Sequence, residues 1–295
     1  MKKLFILIPV FNDWKSVFKL LNEVDDKIKK WEDQVSVLII NDASTEIKPN
    51  FSLNFKNFKS IKLINMKENK GHARCNAAGL KFLVEKEDFD HVFLMDGDGE
   101  DRPDELELLF KKSKLNPKKT ITANRIKRSE GPFFKFLYEC HKALTYVFTG
   151  KSIKFGNYSC LPKEDVIKLV SQACIWSSFS GSLTKIIFDK VSIPSIRGQR
   201  YFGPSQMNLI SFLVHSLSII AVFRKSVLVR SILFLFVYFL IILKNISFIT
   251  LIPIFLILLF LFLIFRISFR ENINELNNSL ENIDSINFLY NSDGG

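Results

Sequence analysis

Phe93-Leu94-Met95-Asp96-Gly97-Asp98-Gly99-Glu100-Asp101-Arg102-Pro103 decides how the rest of the chain is read. An apolar run ends in two carboxylates one residue apart, a third acid follows two residues later, and a proline closes the stretch. Side chains of an extended segment alternate faces, so the spacing predicts Asp96, Asp98 and Glu100 on one side. Carboxylates converging at a strand end repel one another unless a cation or a basic ligand sits among them. Hard oxygen ligands suit Mg²⁺ or Mn²⁺, held by one or two carboxylates together with substrate phosphates. The competing reading is a solvated acidic turn that caps a helix starting near Pro103.

Upstream of this segment, strand-like and helix-like runs alternate. Leu4–Pro9 is a short apolar run closed by proline, and Val35–Ile40 is a β-branched run ending in Asn41-Asp42-Ala43-Ser44. Between them Val17, Phe18, Leu20, Leu21, Val24 and Ile28 recur at helical spacing after an N-cap at Asn12 or Asp13. Ile61–Met66 is a further strand, followed by Asn69-Lys70-Gly71 and a small-residue helix through Leu83. Pro103–Leu115 reads as helix and Thr120–Ala123 as strand. Such alternation predicts βαβ units and a mostly parallel sheet covered on both faces. Ligands of these sheets bind at the carboxyl ends of the strands, where Asp42, Gly71 and the acid cluster would gather.

The far end of the chain is of another kind. Asn245–Phe265 contains no charged residue and is dominated by Ile, Leu and Phe. A bilayer core takes roughly 20 apolar residues as a helix, so this segment predicts a transmembrane span. Val227–Leu243 is apolar except for Arg230, which can snorkel to an interface, and only Lys244-Asn245-Ile246-Ser247 separates the two runs. The expectation is a helical hairpin with spans at about 227–243 and 247–265. A single long buried helix is the alternative, and Pro253 with the polar break at Lys244–Asn245 argues against it. Arg224, Lys225 and Arg230 precede the hairpin and Arg266 and Arg270 follow it, which places both flanks on the cytoplasmic side. Met1-Lys2-Lys3 before Leu4–Val10 mimics a signal peptide, but the apolar run is short and no small-residue cleavage site follows, so a buried strand is expected.

The formal net charge of +11 is carried ahead of the hairpin, since Glu271–Gly295 holds five acids and no Lys or Arg. A basic domain beside membrane segments points to anionic headgroups or phosphorylated ligands. No nucleic-acid module is present, so nucleic acid is not expected as a partner. Cys75, Cys140, Cys160 and Cys174 form no C-x-x-C pair, which argues against a zinc site and for a reducing compartment.

Ile8-Pro9-Val10-Phe11-Asn12-Asp13, Asn41-Asp42-Ala43-Ser44, Asn69-Lys70-Gly71-His72-Ala73-Arg74-Cys75-Asn76-Ala77-Ala78-Gly79 and Met95–Asp101 resemble, in order and spacing, the motifs of family 2 glycosyltransferases with the GT-A fold. The closer likeness is to the dolichyl-phosphate mannosyltransferase and bactoprenol glucosyltransferase branch, and it covers about residues 4 to 250. The resemblance implies an α/β fold with a Rossmann-like cytoplasmic GT-A domain over 1–205. An interfacial amphipathic helix over 206–225, the hairpin within 226–267 and an acidic tail over 268–295 would follow. It further implies a multi-pass protein of the inner (cytoplasmic) membrane with both termini cytoplasmic. Its reaction would be metal-dependent, inverting transfer of sugar from a UDP- or GDP-sugar to a polyprenyl phosphate.

By matching position, the resemblance puts Pro9, Asp13, Asp42, Gly71 and Asp96 at the donor nucleotide, although the family more often carries Glu where Asp13 stands. Asp96 and Asp98 resemble the D-x-D pair at the ribose and metal, and Glu100 falls where this branch often has a Gln ligand. Gly71 resembles the glycine that admits the nucleotide, with close helix packing as the alternative; for Gly79 packing is expected. Ala123-Asn124-Arg125-Ile126-Lys127-Arg128 resembles a G-x-R-x-x-R segment in which Arg125 and Arg128 would stabilise the leaving diphosphate. An exposed basic loop is the alternative. Phe155–Ser159 resembles the turn shaping the acceptor side. Arg200-Tyr201-Phe202-Gly203-Pro204-Ser205 resembles an R-x-x-G-x-S motif, with Arg200 and Ser205 expected on the lipid phosphate. His72 lies in the glycine motif without being required by it, and His215 is given no catalytic part.

A sugar hydroxyl acceptor would need a general base. Ala173–Leu183, where many polysaccharide-forming relatives carry an acidic pair, contains no acid at all. Glu164-Asp165 nearby reads as first-turn helix charge. A phosphate monoester is already anionic at neutral pH, so the missing base favours a lipid phosphate. Direct transfer to a glycan or glycolipid hydroxyl and a non-catalytic membrane scaffold are the competing readings. In the tail, Ile273, Leu276, Leu280 and Ile283 recur at steps of three, four and three, which predicts a short coiled-coil seam. So short a helix needs a partner: a second subunit, giving the expected homo-oligomer, or a groove on its own basic domain. A frayed tail is the third possibility.

Overall fold

The fold is built outward from β1 (Lys3–Val10), which is buried from Leu4 onward because helices cover both of its faces. The computed structural model describes residues 1–49, 54–127, 132–203 and 208–292. β2 (Gln34–Asn41) and β4 (His91–Leu94) flank β1 in parallel, and β3 (Ser60–Met66) lies parallel beyond β2. α1 (Trp14–Ile28) and α3 (Pro103–Leu115) cover one face; Val17, Leu20, Leu21 and Val24 pack with Leu106 and Leu109 on Ile6, Ile8 and Ile39. α3 begins on Pro103 at its first position with Asp104 and Glu105 in its first turn, both favourable at a helix N-terminus. α2 (His72–Lys86) covers the other face through Cys75, Ala77, Ala78, Leu80 and Leu83. A Cβ on Gly79 would stand 2.5 Å from Leu7 Cδ1, so this helix lies close to the sheet because Gly79 has no side chain.

The sheet continues through β5 (Thr120–Lys127), β6 (Phe155–Pro162) and β7 (Lys190–Ile196), in the order β7-β5-β6-β4-β1-β2-β3, with one further strand outside β3. β6 runs antiparallel to both β4 and β5, whereas β5 and β7 are parallel, so the second half is mixed rather than parallel. α4 (Pro132–Thr149) joins β5 to β6; α5 (Lys163–Val170), a 3₁₀ turn at Ala173–Trp176 and α6 (Phe179–Ile186) join β6 to β7.

α7 (Leu209–Ala221) leads into α8 (Arg224–Ile242) and α9 (Phe248–Ser268), the two helices among the described residues that are long and apolar enough to cross a membrane. Only Val227, Ser231 and Ile242 of α8 and Ile264 and Ser268 of α9 are buried, so neither is a core helix. The Arg230 guanidinium donates from Nη1 to the carbonyl of Val147, 3.0 Å away near the end of α4, instead of reaching freely for an interface. A cation is well placed on the last carbonyls of a helix.

The segment after α9 corrects the coiled-coil expectation. It forms a five-residue α10 (Ile273–Asn277), a 3₁₀ turn at Ser279–Asn282 and β8 (Ile283–Asn291), antiparallel to β3 with Ile64 opposite Ile286. Leu276 is fully buried, and Leu280 and Ile283 pack on the same core as α2. Leu276, Leu280 and Ile283 are therefore satisfied within the chain, Ile273 stays exposed, and the described residues form no helix long enough for the expected seam.

Candidate functional site

The carboxyl ends of β1, β2 and β4 converge as the sequence predicts, but the acid cluster is not extended. β4 ends at Leu94 and a turn follows, with Gly99 at φ +88°. That left-handed residue breaks the alternation on which a three-carboxylate face depended. Glu100 pairs with Arg197. Among the described residues no set of three or more Asp, Glu, His or Cys forms a ready-made metal cage.

Asp96 and Asp98 lie just past the end of β4, each with part of its side chain exposed. Asp96 Oδ1 lies 3.2 Å from His72 Nε2 and accepts from Asn157 Nδ2 at 3.1 Å. Burial would raise its pKa, but the His72 and Arg125 charges and the Asn157 bond hold it well below the usual carboxylate range. Asp98 takes the Glu100 backbone N–H on Oδ1 at 3.0 Å and Arg200 Nη1 on Oδ2 at 2.8 Å. Burial and the neighbouring Asp96 charge push Asp98 upward despite Arg200 and Arg197. Buried Asp101 accepts the Asp96 N–H at 2.9 Å and is likewise raised, by burial first and by Asp96 second. Three carboxylates within one turn, two of them forced toward neutrality, form a hard-oxygen cluster. A divalent cation held by Asp96 and Asp98, with ligand phosphates completing its shell, fits this donor set.

Asp42 is almost fully buried, and its carboxylate accepts the backbone N–H groups of Lys70 at 2.9 Å and Gly71 at 2.8 Å. It thereby fixes the loop that opens α2. Gly71 sits at φ +90° with nothing within 4 Å of where a Cβ would be. The glycine is required by its backbone, and the space above it is open, which excludes the close-packing alternative. Pro9 is buried at the end of β1. Asp13 caps α1 without bonding its backbone; its carboxylate turns instead to Arg200 Nη2 at 2.5 Å.

Arg200 therefore bridges Asp13 and Asp98. Arg125 is mostly buried, lies 3.9 Å from Asp101, and packs where a Cβ on Gly156 would stand 2.5 Å from its Nη2. It belongs to the cluster and not to an exposed loop. Arg128 and Ser205 lie outside the described residues.

Sequence reasoning passed over four participants. His72, first residue of α2, meets Asp96 and lies 2.6 Å from Asn157 Nδ2. Crowding opposes its charge, yet Asp96, Asp98 and Asp101 together raise its pKa. Asn157 and Asp101 stood inside segments already singled out, and only geometry separates them from their neighbours. Arg197 had no signal beyond its nearness to Arg200. The 197–201 segment lies directly over the acid turn: Gly198 N–H donates to the Glu100 carbonyl at 2.8 Å and Tyr201 N–H to that of Asp98 at 2.9 Å.

The model of glycosyl transferase family 2 matches residues 5–170 of the chain. No curated protein matches it in sequence. Among solved structures, glucosyl-3-phosphoglycerate synthase from Mycobacterium tuberculosis, in complex with Mn²⁺, UDP and phosphoglyceric acid, is similar at 12% identity. That likeness covers 77% of this chain and 78% of the other, with a TM-score of 0.52. A mycobacterial protein is similar at 13% identity over 76% and 74% of the two chains, with a TM-score of 0.53. At such identities the likeness is one of fold, and the family rests on the sequence match. The chain belongs to glycosyl transferase family 2.

Proposed function

We propose that the enzyme works at a membrane and transfers the sugar to a polyprenyl phosphate, with Mg²⁺ or Mn²⁺ at Asp96 and Asp98. The observation that carries this reading is the pairing of β8 with β3. β8 follows α9 and β1–β7 precede α8, yet all of them share one sheet. Two exposed apolar helices between parts of one sheet fit a hairpin that enters a bilayer and returns to the side it left. Basic residues at both flanks agree with a cytoplasmic catalytic domain.

The chemistry is consistent with that acceptor. Ser177, Ser178, Ser180 and Ser182 around α6 are buried, and no carboxylate stands in that stretch to deprotonate a hydroxyl. A phosphate oxygen attacks the anomeric carbon as the bond from that carbon to the nucleoside diphosphate breaks. The configuration inverts, and no proton has to be removed. Asp42 and Gly71 hold the loop beneath the nucleotide, while Arg125 and Arg200 supply positive charge near the departing diphosphate. A bound divalent cation would neutralise the diphosphate oxygens there. Either UDP or GDP serves this reading as the carrier.

Incubating purified protein with undecaprenyl phosphate and a panel of UDP- and GDP-sugars in detergent tests the reading. One donor should yield a sugar lipid that mild acid cleaves. An acid-stable glycolipid would show transfer to a hydroxyl instead.

A further inference from the structure

The tail does more than extend the sheet. Glu275 on α10 accepts from the indole of Trp176, Nε1 to Oε2 at 2.7 Å, and the same oxygen stands 3.7 Å from Arg74 Nη2. The Arg74 guanidinium lies 5.6 Å from the centroid of the Trp176 ring. Trp176 is buried in the core shared with Leu276, and the other Glu275 oxygen takes Asn272 Nδ2 at 3.1 Å. Four residues upstream, Glu271 pairs with Arg224 at the start of α8.

Arg74 belongs to the first turn of α2. Its N–H donates to the Gly71 carbonyl at 3.0 Å, two residues after His72, which meets Asp96, and on the same turn as the Gly71 N–H held by Asp42. The Arg74 Nε is buried without a partner, so Glu275 is the carboxylate within ion-pair reach of this guanidinium among the described residues. A displacement of Arg74 is a displacement of the turn that carries the donor loop.

We infer that Glu275 is a positioning residue for the donor loop, acting through Arg74, so that the segment emerging from the apolar hairpin sets the affinity for the nucleotide. The hairpin ends are tied to the same tail by Glu271 and Arg224, which places donor binding under the control of how the hairpin is seated. The inference rests on the nucleotide-sugar reading of the cleft.

Calorimetric titration of the full chain in detergent with UDP, and separately GDP, each with Mn²⁺, tests it. Glu275→Gln keeps an acceptor for the Trp176 indole, so the fold and melting temperature should stay at the wild-type value. Nucleotide affinity should fall by roughly three- to fivefold, the scale of a partly exposed ion pair. Arg74→Gln should weaken binding similarly, and the double variant should be no weaker than either single one. Unchanged affinity in Glu275→Gln, or effects that add in the double variant, would overturn the inference. Wild-type protein that binds neither nucleotide would overturn the donor reading and this inference with it.

Discussion

Arg200 and Asp98, far apart in the sequence, meet at 2.8 Å across the mouth of the cleft, and the same guanidinium reaches Asp13 from its other nitrogen. The arginine takes Asp98 Oδ2, an oxygen that a divalent cation held by Asp98 would also use. Two cations competing for one carboxylate give opposite signs for metal binding and for turnover. Arg200→Ala should tighten Mn²⁺ binding to the nucleotide-free protein while cutting turnover by about tenfold or more. Mn²⁺ titration followed by electron paramagnetic resonance reads the first effect, and weaker binding in the variant would contradict the bridge.

Asp98→Asn keeps the shape of the turn and its bond from the Glu100 N–H but removes a charged ligand. Turnover should fall by about 10² or more with the fold intact. Chelation by EDTA should do the same to the unsubstituted enzyme, and Mn²⁺ or Mg²⁺ should restore it. Near-normal rates in either case would remove the metal from the account.

Gly79→Ala tests the packing of α2 on the sheet. The added methyl would meet Leu7 Cδ1 at 2.5 Å and Ile40 Cγ1 at 3.1 Å, both in the closely packed core. Overpacking of this kind costs about 1–3 kcal/mol, and denaturant melts should show that loss. An unchanged midpoint would mean that the helix shifts freely, which the buried Cys75, Ala77 and Ala78 contacts argue against.

His91 gives the domain a dependence on acid. Its ring is buried with Nε2 2.9 Å from the Pro117 carbonyl, and burial together with Lys2 lowers its pKa from 6.5. The unfolded chain takes up the proton first, so this residue's contribution is complete above about pH 6.5 and declines as pH falls toward the lower folded value. His91→Gln should flatten the loss of melting temperature between about pH 6.5 and 5. An identical slope in the variant would place the acid sensitivity elsewhere.

The parts of the fold that could be read from sequence are those fixed by local pattern. β1, α1 and α3 follow from unbroken apolar runs, a 3.6-residue stripe and a proline start, and α3 spans Pro103–Leu115 as its sequence implies. The antiparallel β6 was not legible, because nothing local distinguishes the two directions for Phe155–Pro162. Asp96 and Asp98 were legible as a pair, but the turn after Leu94, with Gly99 at φ +88°, was not, so the pairing of Glu100 with Arg197 could not be read. Leu276, Leu280 and Ile283 carry an apolar period whose partner is the chain's own core, and partner identity is a tertiary fact. His72 became a site residue only when α2 was seen to start beside Asp96.

Phosphorus resonance reads directly the bond that the enzyme makes. Purified enzyme, Mn²⁺, the competent nucleotide sugar and undecaprenyl phosphate should convert the lipid's phosphomonoester ³¹P signal into that of a phosphodiester, with one equivalent of nucleoside diphosphate released. A lipid phosphomonoester signal that stays unchanged while nucleoside diphosphate accumulates against an added glycan or glycolipid acceptor would contradict the account.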